Sequence, residues 1–494
     1  MLLTLSRAKE QADAHKKKLE FELPYFMTFI TLLATSGFGP SAVFQKLKDV
    51  SLLPASQKEA NKILKRVELL GLDPLTAMTK VKEMSPSKEF AEFLGGYVSS
   101  IQGGGDVVSY LQSKMTSAFE KYAEIQRQSV EKVKTVIEAY MTLQVVVLAV
   151  YIIINSMENP TQRTESEFTM STLFVIVPPL ISIFFLLIAV SMHISKLKEL
   201  PIKKILIFGM PGFVGALAFI YIDIMPSFDA YVLAAALIIA SIWPVITFKK
   251  KYRELMDAES ATPSILRDIA ETRKAGIGPE KCVIQACKRK DFGVFNVHAN
   301  SIAIKIERGS SLIDIYNSLK KKVESFHVLI SFKILFEIIS SGGGNVDTIE
   351  SLALTAEKIH NVDAEKQELL KPYVLVGFLL IGLTSFTTLM VIDSLSGVSI
   401  LTEFDEQRLL EITEKRENSI ATFSMSVLIQ AWLAGLFLGK ITTGSYSGGF
   451  QYAAILSVIA MIGVTIIQAQ LFNLTDLLFN VEVNLGMFFG DSYI

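Results

Sequence analysis

Seven stretches of the chain are almost purely apolar: roughly 137–157, 169–194, 205–225, 231–248, 373–393, 421–439 and 450–472. Each is long enough to cross a bilayer as a helix, which takes about 20 apolar residues. Two long segments, 1–136 and 249–372, follow a different pattern, with apolar residues recurring at helical spacing among polar ones. Ala60, Ile63, Leu64, Val67 and Leu70 share one helix face at i, i+3, i+4, i+7 and i+10. The pattern predicts an all-α polytopic membrane protein with about seven transmembrane helices and two six-helix bundle domains in the cytosol. Its divisions are a first helical domain at 1–136, transmembrane helices one to four at 137–248, a second helical domain at 249–372, and helices five to seven with a short external tail at 373–494.

The two polar domains are copies of one another. Pro24 matches Pro263, Gly37 matches Gly276, Gly39 matches Gly278 and Pro40 matches Pro279. Gly103, Gly104 and Gly105 match Gly342, Gly343 and Gly344, every pair 239 residues apart. Spans one and five follow the two copies and run the same way, so the repeat is parallel, unlike the inverted repeats of many transporters. Pro24 and Pro263 suit the first turn of an opening helix, where a missing N–H costs nothing. Gly37–Pro40 and Gly276–Pro279 then end that helix and start the next. The triple glycine permits a tight reversal, and Asp106 or Asn345 behind it is placed to cap a long helix running toward the membrane.

Charge orients this arrangement. The formal net charge is −1, half of the residues are hydrophobic and only a fifth are charged, with a mean hydropathy of +0.42. The first residues lack the order of a signal peptide, so the N-terminus is expected in the cytosol. With 1–136 inside, 44 of the 48 Lys and Arg fall on the cytosolic side, and the outer segments hold Arg163, Arg408, Lys415 and Arg416. The expected location is therefore the cell membrane, multi-pass, with an external C-terminus. The near-neutral sum argues against a nucleic-acid binder, and its parts leave both helical domains basic.

Candidate chemistry is sparse. Five scattered His and two Cys, Cys282 and Cys287, form no metal motif, and no cofactor or catalytic set is expected. I-Q-G-G-G-D and S-S-G-G-G-N lack the Lys and hydroxyl of a phosphate-binding P-loop and read as corners or as a contact loop for a partner. Lys249–Lys251 follow span four and suit lipid headgroups. Lys288, Arg289 and Lys290, with Lys320, Lys321 and Lys322, lie deep in the second domain and suit either a solvated face or an acidic partner. Glu138, Asp223 and Asp393 lie near span ends. Gly435 and Gly439 offer a small-residue packing face, and Pro178–Pro179 interrupt a span.

E-L-P-Y-F-M at 22–27, S-G-F-G-P at 36–40 and G-G-G-D at 103–106 resemble the type II secretion system protein F family, as do Pro263, A-G-I-G-P at 275–279 and G-G-G-N at 342–345. The resemblance covers residues 20–157 and 260–395. Seven spans are similar to its archaeal branch, the platforms of archaella and archaeal type IV pili. It implies a non-enzymatic platform, expected as a homodimer in membrane lipid, that couples a hexameric cytosolic secretion ATPase to pilin or archaellin-like subunits. The two basic runs and the two glycine turns are the candidate ATPase-facing residues. A transporter or channel is the alternative, and a membrane enzyme has no supporting motif.

Overall fold

The computed structural model describes residues 2–157, 166–192, 214, 229–289, 291–342, 344–401 and 406–468. Every regular element among them is helical. In chain order these are α1 (Leu2–Thr35), α2 (Pro40–Lys48), α3 (Pro54–Leu70), α4 (Pro74–Glu83), α5 (Lys88–Gln102), α6 (Val107–Met157) and α7 (Ser166–Ser191). There follow α8 (Asp229–Lys274), α9 (Pro279–Arg289), α10 (Asn296–Glu307), α11 (Leu312–Lys320), α12 (Phe326–Ser340), α13 (Val346–Leu401), α14 (Glu406–Thr443) and α15 (Tyr446–Gln468). The chain separates into two compact units, Met1–Ser129 with Tyr252–Lys366 and Val130–Lys251 with Gln367–Ile494.

The first unit holds both copies of the repeat, and their helices share landmarks. Helices α1 and α8 end at Thr35 and Lys274, α2 and α9 begin at Pro40 and Pro279, and α6 and α13 begin at Val107 and Val346. These pairs keep the 239-residue offset. Between them the offset is 238: the left-handed glycines Gly71 and Gly309, and the helix-capping pairs Asp73 with Ser311 and Ser87 with Ser325. One residue is lost and regained without changing the order of helices. At Gly37 and Gly276 the backbone turns at φ 90° and 80°, a region open to glycine at no steric cost.

Pro24 and Pro263 depart from the expected first-turn position. Both lie inside helices, Pro24 in α1 and Pro263 in α8. An internal proline costs about 3 kcal/mol. The preceding turns nevertheless stay helical because Leu19 and Leu23, and Leu255 and Ala258, are buried. Neither proline has an N–H to give the carbonyl four residues earlier, on Glu20 and Glu259. Those same glutamates hold the next structural point: Ser87 Oγ donates to Glu20 at 3.3 Å and Ser325 Oγ to Glu259 at 2.9 Å. Both serines also accept the N–H that caps their helix, from Phe90 and Val328. The core is aromatic, with Phe93 and Tyr97 on α5 of one copy and Phe332 and Phe336 on the corresponding α12 of the other, all buried. The predicted stripe on α3 buries Ala60, Ile63 and Leu64, while Leu70 is exposed beside the left-handed Gly71 where the helix stops.

The second unit holds apolar helices. Among the described residues four segments are long and apolar enough to cross a membrane: Val107–Val150, Asp229–Lys274, Ala421–Thr443 and Tyr446–Ile466. They take in the predicted spans at 231–248 and 421–439 and overlap those at 137–157 and 450–472. The apolar part of α7, Val175–Ser191, is shorter, the run at 373–393 lies within α13, and the run at 205–225 lies outside the described residues. Helices α14 and α15 meet at glycine: a Cβ on Gly435 would stand 2.3 Å from Ala453 Cα, and one on Gly439 2.2 Å from Gly449 Cα. This is the small-residue packing expected of a G-x-x-x-G face in lipid. Pro179 cannot donate to the carbonyl of Val175, and Ser426 Oγ donates to it instead from α14. Tyr140, Phe185 and Phe437 pack ring to ring beside a buried polar chain, in which Tyr140 and Gln144 reach Ser182 and Gln430 donates to Gln144 at 2.8 Å.

Candidate functional surface of the paired repeats

The two copies pair through reciprocal contacts. Arg127 donates to both carboxylate oxygens of Glu365, at 3.0 and 3.3 Å. Lys366 donates to Gln126 at 3.2 Å. Adding 239 to 127 and 126 gives 366 and 365, so the second contact is the first with the copies exchanged. This is the signature of an isologous, pseudo-two-fold interface. Elsewhere the symmetry is broken. Tyr25 of α1 bonds His327 Nδ1 of α12 at 2.9 Å, and His327 Nε2 meets Asp363 of α13 at 3.4 Å. Phe326 stacks edge-on against Tyr25 with centroids 5.0 Å apart. Lys46 of α2 reaches Glu337 of α12 at 2.8 Å, and Lys333 reaches the same carboxylate at 3.0 Å. Burial pushes the Glu337 carboxyl up, but the two ammonium groups outweigh it and hold it below the ordinary value of 4.5. Sequence reading missed this seam; its only trace was the alignment of Gln126–Arg127 with Glu365–Lys366.

The basic runs lie on this unit but are less free than their sequence suggests. Lys288 pairs with Glu307 at 2.6 Å, and Arg289 approaches Asp268 at 3.8 Å. Lys320 crosses to the first copy and donates to Ser51 at 2.7 Å. Lys321 and Lys322 are exposed, and Lys290 lies outside the described residues. No hydrogen bond or ion pair joins the two runs among the described residues. Glu138 is exposed on α6; Asp223 and the side chain of Asp393 lie outside the described set. Both cysteines are buried, and burial pushes the Cys287 thiol up to about 12, so it is packing rather than chemistry. Among the described residues no group of His, Cys, Asp or Glu could hold a metal ion.

The glycine turns differ between copies. Gly103, Gly104 and Gly105 are all exposed, with Gly104 at φ 65°. In the second copy Gly342 and Gly344 both take left-handed angles, and Gly344 is buried under Pro279; Gly343 lies outside the described residues. Arg273 fastens that turn, donating to the carbonyls of Gly344 and Ile277, each at 2.9 Å. Behind both turns the long helices start as expected, and Asp106 accepts the Ser109 N–H at 3.0 Å.

Residues 26–154 match the family model described as type II secretion system (T2SS), protein F. This segment is similar to protein F domains. The match ends inside α6 and takes in the whole first copy from Phe26 onward. Protein F family members are membrane platform proteins of secretion and pilus-type assembly machines, and the apolar helices agree that this chain is a membrane protein. The chain is also similar to an uncharacterized protein of Methanocaldococcus jannaschii, 20% identical over 500 positions covering 91% of this chain and 80% of the relative. No solved structure matches it.

Proposed function

We propose that the chain is the cytoplasmic-membrane platform of a type IV filament assembly machine, an archaellum or an archaeal type IV pilus. It couples a hexameric secretion ATPase in the cytosol to the insertion of pilin or archaellin-like subunits. The observation that carries the reading is the protein F-like segment together with its internal copy, each opening a long helix whose later residues belong to the apolar unit. Helix α6 has 51 residues, about 75 Å at 1.5 Å per residue. A helix of that length transmits tilt or rotation from a repeat to its span. The relative in the archaeon M. jannaschii supports the archaeal branch. In this reading both repeats face the cytosol, the chain forms a homodimer, and the ATPase contacts Lys288, Arg289, Lys290 and Lys320–Lys322, flanked by the two glycine turns.

Charge reversal at those six basic positions is expected to abolish co-purification with the ATPase, while an equal number of reversals on α3 and α4 leaves it intact. Undiminished capture removes this patch from the interface. Transport through the bundle is the second reading, favoured by the buried Tyr140–Ser182–Gln144–Gln430 chain. Substrate flux in proteoliposomes lacking any ATPase would support it.

A further inference from the structure

Between α10 and α11 of the second copy lies a cleft lined by His298, Ser301, Lys305, Ser318 and Lys322, with Ile302, Ile315 and Leu319 forming its floor. Lys305 donates to Ser318 Oγ at 2.6 Å across the cleft. Neither Lys305 nor Lys322 forms an ion pair among the described residues. Two ammonium groups, two hydroxyls and an imidazole thus converge on one concavity that offers no carboxylate of its own. Glu254 on α8 acts on His298 as an opposing charge. Burial and Lys322 outweigh Glu254 and hold the imidazole below its ordinary value, so near neutral pH it is an uncharged donor.

The first copy shows the same place closed. His298, Ser301 and Lys305 correspond to Glu59, Lys62 and Arg66 at an offset of 239, and Ser318 and Lys322 to Lys80 and Met84 at 238. The alignment is supported by contact, because Arg66 touches Met84 Sδ at 3.1 Å as Lys305 and Lys322 share the cleft. There Glu59 is fully buried and accepts from His15 at 2.8 Å and Lys62 at 2.7 Å. His15 in turn corresponds to Glu254, so the His and Glu positions are exchanged in the second copy, where the two form no ion pair among the described residues. The exchange takes the carboxylate out of the α10 position in the second copy, and Met84 gives way to Lys322.

We infer that the cleft between α10 and α11 binds a phosphoryl group, taking up the negative charge that Glu59 supplies within the first copy. A phosphate offers three or more acceptor oxygens and close to two charges, matching two ammonium groups, two hydroxyls and a ring N–H better than a carboxylate does. The inference is independent of which partner the basic runs face. The phosphate comes from solution or from a lipid headgroup.

Equilibrium dialysis of inorganic phosphate against the full chain in nanodiscs of zwitterionic lipid tests the cleft. Saturable binding is expected, weakened at least about tenfold by Lys322→Ala. It should be lost in His298→Glu, which installs the first copy's own carboxylate. Lys281→Ala, an exposed lysine on α9, should leave it unchanged, and circular dichroism checks that each variant keeps its helices. Replacing part of the lipid by phosphatidic acid separates the sources: competition with free phosphate assigns the cleft to a headgroup, and undisturbed binding assigns it to solution. Absence of saturable binding, or equal loss in Lys281→Ala and Lys322→Ala, overturns the inference.

Discussion

The two copies of the repeat keep their backbone landmarks and change their polar interior. Helix starts, left-handed glycines and N-cap serines recur at 238 or 239 residues. The pairing of Glu20 with Ser87 recurs as Glu259 with Ser325. Around this frame the first copy neutralises itself. Glu22 accepts the N–H groups of Ala55 and Ser56, and Glu59 takes His15 and Lys62. In the second copy Asp257 takes over the first task, accepting Val294 N–H at 2.9 Å from one turn earlier on its helix. The second task is not replaced. Duplication fixes where chains must turn, because few residues can turn there, and leaves buried charge free to be redistributed as long as each charge finds a partner.

If the frame is shared, equivalent core deletions must cost alike. Phe93→Ala and Phe332→Ala each remove a fully buried ring from the corresponding helices α5 and α12, and each is expected to cost about 3–5 kcal/mol. Pulse proteolysis of the full chain in nanodiscs measures both. A difference of more than about 2 kcal/mol would mean that the copies are packed differently despite their common landmarks. Removing the divergent pair should separate them. Glu59→Ala strands His15 and Lys62 and is expected to cost about 2 kcal/mol, whereas His298→Ala, lining an open cleft, should cost under about 1 kcal/mol. Equal costs would show that the exchanged His and Glu positions are equivalent in the two settings.

Much of this frame could be read from the sequence, and the reasons are local. Glycine and proline constrain the backbone by themselves, so Gly37–Pro40 and Gly276–Pro279 marked real helix boundaries without knowledge of the tertiary structure. Pro24 and Pro263 misled for the opposite reason, since burial of Leu19 and Leu23, and of Leu255 and Ala258, keeps the helix going, and burial is decided by distant partners. The basic runs were legible as charge but not as contacts. Lys288, Arg289 and Lys320 are already engaged by Glu307, Asp268 and Ser51, residues 19, 21 and 269 positions away. The cleft at His298 escaped notice because its members alternate with apolar residues over 25 positions and carry no motif. Only alignment of the repeat with itself, one residue out of register, exposes Lys322 against Met84.

The seam between copies carries an acid-sensitive contact. Glu337 is held below 4.5 by Lys46 and Lys333. A carboxyl depressed on folding stabilises fully above its unfolded value and loses that contribution as pH falls through the folded one. The seam should therefore weaken below about pH 4.5, seen as faster amide exchange in α2 and α12, and Glu337→Gln should flatten that acid limb. An unchanged limb in Glu337→Gln would place the sensitivity elsewhere, with Asp363 beside His327 the next group to replace.

The reciprocal contact of Arg127 with Glu365 and of Lys366 with Gln126 is the smallest effect and the most direct probe of the pseudo-two-fold. Arg127 and Glu365 are both exposed, so salt screens their attraction: the Debye length is about 10 Å at 0.1 M and about 3 Å at 1 M. Arg127→Ala is expected to leave global unfolding unchanged while speeding amide exchange at 120–129 and 359–366 in low salt. In 1 M salt the unmodified chain should exchange as fast as the variant. Lys366→Ala, which removes a bond to a neutral amide, should show the same local loosening with much less dependence on salt, because Gln126 offers a dipole where Glu365 offers a charge. If both variants responded to salt alike, the two contacts would not be the exchanged halves of one interface, and the pairing of the copies would rest on other contacts, Tyr25–His327, Lys46–Glu337 and Lys320–Ser51 among them.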